Sequence, residues 1–314
     1  MNLVSRDDVV SASKRIEGCV EKTPLIETRI SGHAVWLKCE CLQTGRAFKL
    51  RGATNRLLQL SGEERKGGVV AFSSGNHAQG VAIAASRLGM PAVIVMPYDA
   101  PSVKVEATRG QGAEIVFYER RSQGREALAQ RLAEERRALV VPSFDDPAIV
   151  AGQGTVGLEI LEQMGASPGL IVVPCGGGGL ASGIALACPD SRIVIVEPEG
   201  WDDMQRSLET GEIVPVEADA PETLCDALQT PRVSPITFAI LQERGVGALS
   251  VTDEEVKLAI RFAWDEHRLV VEPGGAVALA ALLAGKVEPV EGTVAVLSGG
   301  NIDPELHARI VASE

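Results

Sequence analysis

Lys49 lies in the stretch Ala47-Phe48-Lys49-Leu50-Arg51-Gly52, ahead of a long alternation of apolar runs and glycine-rich turns. An amine in such a place can condense with an aldehyde and later accept a proton. Two further stretches give that amine something to work with. Ser73-Ser74-Gly75-Asn76-His77-Ala78-Gln79-Gly80 follows a short apolar run, and its hydroxyls and N–H groups suit a carboxylate, besides capping a helix. Gly176-Gly177-Gly178-Gly179-Leu180 opens a helix after another apolar run, where backbone N–H groups free of side chains bind phosphate well. Together these are the parts needed to hold an aldehyde cofactor that carries a phosphate.

The elements that must position them follow from periodicity. Residues 5–17 predict an amphipathic helix. Val35-Trp36-Leu37-Lys38-Cys39 reads as a strand, and the turn after it delivers Lys49 to a helix running to about residue 60. A first series of strands at 69–72, 92–97, 113–118 and 139–142 alternates with helices at 77–88, 102–109 and 123–137. A second series has helix 152–164, strand 170–173, the glycines, and strand 192–196. Apolar strands alternating with helices predict parallel sheets covered on both faces. Pro221, Pro231 and Pro235 mark 221–237 as a loop near the site, with Arg232 placed to meet a substrate's side chain. Helix 253–268, strand 293–297, a glycine turn and a short helix complete the chain.

In this order the three stretches resemble the fold-type II enzymes that use pyridoxal phosphate, and among them the serine/threonine dehydratase and serine racemase branch. The resemblance runs from Thr23-Pro24-Leu25 to Ser298-Gly299-Gly300-Asn301. It implies a two-lobed α/β fold with parallel-rich sheets flanked by helices in both lobes. Residues 1–55 and 146–314 would form a large cofactor-binding domain, with 56–145 inserted as a small one. It implies that Lys49, beside Phe48, is the Schiff-base lysine. Asn76 would contact the cofactor's 3-oxygen, and Gly176, Gly177, Gly178, Gly179 and Leu180 its phosphate. Ser298 would lie by the pyridine nitrogen, where a neutral hydroxyl suits elimination. Ser73, Ser74, Gly75, Asn76 and His77 would take the substrate's carboxylate, with Ser74 facing Cα opposite the lysine. Glu197, the Trp201 carbonyl and Asp203 resemble a divalent-cation loop. Such hard oxygens suit magnesium or calcium better than zinc.

The implied activity is dehydration and deamination of a β-hydroxy-α-amino acid, L-threonine or L-serine, to a 2-oxo acid and ammonia. A serine racemase and a 3-hydroxyaspartate dehydratase use the same parts. One reading from another class stays open on the residues alone. Gly176-x-Gly178-x-x-Ala181, with Glu197 at the end of the next strand, also fits a dinucleotide-binding fingerprint. That reading leaves Lys49 and residues 73–80 without a role. A non-catalytic amino-acid sensor on this fold is a further reading, and it would not need Lys49.

Bulk properties narrow the partners. A net charge of −12 over 314 residues argues against nucleic acid and anionic membranes. No apolar run approaches the roughly 18 residues of a membrane span, and the N-terminus lacks the plan of a signal peptide. Six scattered cysteines do not make a disulfide framework, so a reducing cytoplasm is expected. The resemblance favours a homodimer without the regulatory domain of feedback-inhibited threonine dehydratases.

Overall fold

The computed structural model describes residues 4–100, 102–119 and 124–312. Among these residues ten strands form two sheets. They are β1 (Leu25–Ile30), β2 (His33–Cys39), β3 (Val69–Phe72), β4 (Ala92–Pro97), β5 (Glu114–Tyr118), β6 (Leu139–Val140), β7 (Leu170–Pro174), β8 (Arg192–Pro198), β9 (Gly247–Val251) and β10 (Thr293–Leu297). The larger sheet has the order β1-β2-β10-β7-β8-β9 and the smaller β5-β4-β3-β6. Apart from the β1–β2 hairpin, every pairing is parallel. The apolar runs of β4, β7 and β10 are buried on both faces. In β7, Leu170 and Val172 join one core cluster while Ile171 and Val173 join the other.

Several predicted features change. Pro235 opens the helix Pro235–Glu243 instead of breaking one, because Ser234 caps it and proline is tolerated in a first turn. Asp203, expected in a divalent-cation loop, starts the helix Asp203–Thr210. The strands β1 and β9 and the helix Pro273–Leu283 carry no strong periodic signal and were not foreseen. The predicted helix at 152–164 begins earlier, at Pro147, where the Asp146 carboxylate accepts from the N–H groups of Ala148 and Ile149.

The helix Lys49–Leu58 belongs to neither sheet and packs on both the helix Asn76–Arg87 and the helix Pro147–Met164. Glycines permit these crossings. A Cβ on Gly152 would lie 2.6 Å from the Cα of Gly52, and one on Gly80 would lie 3.0 Å from the Lys49 carbonyl carbon. The same helix is anchored from behind by ion pairs buried in the core. Arg51, fully buried, donates to both oxygens of Glu40 at 2.8 Å and to Glu159 at 2.6 and 3.0 Å. Lys38 completes the group, donating to Glu159 at 2.6 Å and to the Thr23 carbonyl at 2.8 Å. Burial works against ionising Glu40, but Arg51 overcomes it and holds that carboxyl below its usual range. With two cations and two anions the group is neutral, and its hydrogen-bonding geometry makes its burial tolerable.

Candidate active site

The carboxyl ends of β2, β10 and β7 lie side by side in the larger sheet, the place where parallel α/β sheets gather ligands. β10 delivers Ser298 there, and β7 delivers the glycine run. Lys49 is brought in by pairing: Ala47 bridges to Gly299, and the Phe48 N–H donates to the Ser298 carbonyl at 3.2 Å. Sequence stretches some 250 residues apart thus meet in one hydrogen-bonded seam.

Lys49 is half-buried. Its Nζ donates to the Ser143 carbonyl at 3.0 Å and lies 5.1 Å from the centroid of the Phe48 ring. No carboxylate pairs with it among the described residues, and desolvation lowers its pKa to about 8. An amine in that state is neutral for an appreciable fraction of time near neutral pH, as a nucleophile and base requires.

Ser143 is followed by Phe144, which packs on the glycine run. A Cβ on Gly177 would fall 2.3 Å from the Phe144 ring, and Gly178 adopts a φ of +82°. The glycines are therefore needed twice over, for the bare N–H groups at the start of the helix Gly179–Ala187 and for the close neighbours behind them. Glu197 does not suit the ribose-binding role of a dinucleotide fingerprint. It is fully buried and accepts from the N–H groups of Met204 and Gln205 at 3.1 and 2.7 Å.

In the smaller sheet β3 ends at Phe72, and Ser73 to Gly75 lead into the helix Asn76–Arg87. The N–H groups of this first turn have no helical partners, which suits a carboxylate. The His77 ring is turned away from it. Its Nε2 meets the Val141 carbonyl at 2.9 Å inside the small lobe, and burial, with Lys49 nearby, lowers its pKa to about 3. With Nε2 engaged, the backbone N–H of His77 and the unpartnered Nδ1 remain.

Asn76 is fixed at both ends of its amide. Its Nδ2 donates to Glu272 Oε1 at 2.5 Å, and its Oδ1 accepts from Asn301 Nδ2 at 2.8 Å. Glu272 and Asn301 were missed from sequence. Glu272 precedes a proline at the start of the helix Pro273–Leu283 and reads as an ordinary helix entry. Only its burial beside Asn76, 196 residues away in the chain, sets it apart.

Of the remaining predicted residues, Ser298 is buried at the end of β10, its N–H donating to the Gly275 carbonyl at 3.3 Å. Arg232 is exposed. The Arg125 guanidinium sits over the Phe72 ring at 5.7 Å from its centroid and also pairs with Glu126. Glu197 and Asp203 are both fully buried, and both Asp203 carboxylate oxygens lack a hydrogen-bond partner. Burial raises Asp203 to about 7, and burial with Asp203 alongside raises Glu197. A hard cation would remove that strain, so the donor chemistry fits one. Among the described residues no three acidic, histidine or cysteine side chains group together as a metal-holding set.

The family of pyridoxal-phosphate dependent enzymes matches residues 16–299. The chain belongs to this family. Its relatives include an L-threo-3-hydroxyaspartate ammonia-lyase from Pseudomonas sp., 44% identical over 99% of both chains. A serine racemase from Schizosaccharomyces pombe is 40% identical over 99% of this chain and 98% of its own. Among solved structures, maize serine racemase superposes with a TM-score of 0.91 at 34% identity, covering 98% of this chain and 96% of its own. The serine racemase of Dictyostelium discoideum gives 0.88 at 36% identity over 96% of this chain and 99% of its own. The two-lobed fold expected from the resemblance is therefore the fold found, and the dinucleotide reading falls away.

Proposed function

We propose that this pyridoxal-phosphate dependent enzyme is an ammonia-lyase that dehydrates and deaminates a β-hydroxy-α-amino acid, L-threonine or L-serine, to a 2-oxo acid and ammonia. The observation that carries the reading is Lys49 at the seam with Ser298 and Gly299 beyond β10, with its pKa depressed to about 8. When bound, the cofactor supplies an aldehyde for the amine and a ring that accepts electron density as a proton leaves Cα. With the cofactor bound, Lys49 would be its amine partner until substrate enters and would then take the α-proton. The turn Ser73, Ser74, Gly75, Asn76 and the His77 N–H grip the substrate's carboxylate. Gly176 to Gly179 and the Leu180 N–H cradle the cofactor's phosphate, Asn76 meets its 3-oxygen, and Ser298 faces its ring nitrogen. The boundaries at residues 55 and 146 belong to the same reading, supported by strands β3 to β6 forming a sheet of their own.

A serine racemase would use the same residues, with Ser74 as the second acid. The hydroxyaspartate alternative has a specific support, because two relatives at 44% and 42% identity bear that name. We assign a second carboxylate to Arg125, whose guanidinium lies over the ring of Phe72, the residue before Ser73.

Glu197, Asp203 and the Trp201 carbonyl would hold magnesium or calcium in a structural role. A homodimer in the cytoplasm completes the proposal. Among the described residues no helix is long and apolar enough to cross a membrane.

The test is to reduce the purified protein with borohydride and to assay 2-oxo acid from threonine, serine and 3-hydroxyaspartate. A visible band that bleaches, together with 2-oxo acid from at least one substrate, supports the reading. No band and no product would sink it.

A further inference from the structure

Asn76 has one amide N–H left after its bonds to Glu272 and Asn301. That remaining hydrogen has its direction set by the two partners. Asn301 is itself fixed, since its Nδ2 also donates to the Gly45 carbonyl at 2.9 Å. Glu272 is held by its backbone: its N–H donates to the Gly299 carbonyl at 3.0 Å, and its carbonyl accepts from the Gly275 N–H at 2.9 Å. Glu272 is 3% exposed, and its Oε1 occupies the space beside Gly299 where a Cβ would otherwise fall. The arrangement is a rigid chain of three side chains from three distant segments.

We propose that Glu272 is a positioning residue for the cofactor: with Asn301 it aims the free N–H of Asn76 at the cofactor's 3-oxygen. This rests on the cofactor reading given above, and it adds a residue to which that reading assigned no part. A stability role alone would not explain the choice of side chain. A glutamine or an apolar residue would fill the same space without burying a charge.

A second consequence concerns the proton. No cation forms a salt bridge with Glu272 among the described residues. The charged groups facing it are Asp226, Lys104 and Arg46, and Asp226 is itself paired with Lys104. Burial, countered in part by the Asn76 hydrogen bond, raises Glu272 to about 7. When it is ionised, the bond from Asn76 is charge-assisted and strong. When it takes up a proton, the bond becomes an ordinary neutral one, and the hold on Asn76 loosens. Cofactor affinity should therefore weaken as pH falls through 7, beyond any change due to the cofactor's own groups.

The test compares wild type with Glu272→Gln, which keeps the shape and the acceptor oxygen but cannot titrate. Pyridoxal phosphate is titrated into stripped protein from about pH 6 to about pH 8.5, and the dissociation constant and visible band are read at each pH. The ratio of the two proteins' dissociation constants should change by about threefold or more across that range, with its midpoint near 7. Glu272→Asp should bind more weakly throughout yet keep the pH step. This second variant serves if the glutamine form does not fold. A ratio that stays constant with pH, or an aspartate form without the step, overturns the proposal. A wild type with no borohydride-sensitive band overturns the cofactor reading and this inference with it.

Discussion

The Glu272 carboxylate fills the space that a side chain at Gly299 would need, since a Cβ there would fall 2.0 Å from Oε1. The glycine after Ser298 thus exists to let a buried acid reach Asn76. Gly299→Ala should displace Glu272 and free the Asn76 amide. The expected outcome is weaker retention of pyridoxal phosphate with the far-ultraviolet circular dichroism unchanged. Undiminished retention would mean that the crowding is relieved without disturbing Asn76.

The buried ion pairs behind Lys49 allow a prediction about stability. Arg51→Met would leave Glu40 and Glu159 facing each other with Lys38 as their only cation. Breaking such a group from one side costs about 3–5 kcal/mol, because a buried charge is left uncompensated. Denaturant unfolding of stripped protein should show a loss of that size. A loss below about 1 kcal/mol, the range of an exposed pair, would show that the group is more solvated than its burial implies.

The exposure of Arg232 and the position of Arg125 make opposite predictions for two substrates. If 3-hydroxyaspartate is a substrate, Arg125→Met should lower its kcat/KM by at least about tenfold relative to threonine, the value of one charge-assisted pair. Arg232→Ala should leave the ratio unchanged. A reversed pattern would return the side-chain subsite to the loop around Pro231.

For Glu197 and Asp203 the measurement is chelation followed by add-back of magnesium, calcium or manganese. Two buried acids without a cation are costly, so the melting temperature and cofactor retention should fall together and recover together. Silence in both, with Glu197→Ala equally silent, would reduce the segment to a structural turn.

Much of this site was legible before any coordinates because its parts are local. Lys49, the Ser73–Asn76 turn and the glycine run each sit at a strand-to-helix or turn-to-helix junction, and such junctions announce themselves by composition. What escaped was long-range. Nothing near Glu272 in the chain hints at Asn76, and nothing near Arg51 hints at Glu159. The Gly247–Val251 strand was missed because its run is short and small-residued, and it takes its place only by pairing with β8. Pro235 was misread because proline both breaks helices and begins them, and only the Ser234 cap decides. His77 shows the reverse case, where a polar residue inside a functional motif turns its ring into the core.

The central claim is that Lys49 is the amine that holds the cofactor and moves the α-proton. Desolvation lowers its folded pKa to about 8, so folding disfavours its charged form. The penalty is full below pH 8 and vanishes as pH rises towards the unfolded value of about 10.4. Stripped Lys49→Ala should accordingly melt no lower than stripped wild type at pH 7, with any advantage fading towards pH 10. Against that intact fold, the decisive measurement is exchange of the substrate's α-proton with deuterated solvent, followed by NMR in the same samples assayed for 2-oxo acid. Lys49→Ala should lose the borohydride-sensitive band, α-proton exchange and 2-oxo acid together. Substantial exchange or turnover in a folded, cofactor-supplied Lys49→Ala protein would contradict that role for Lys49.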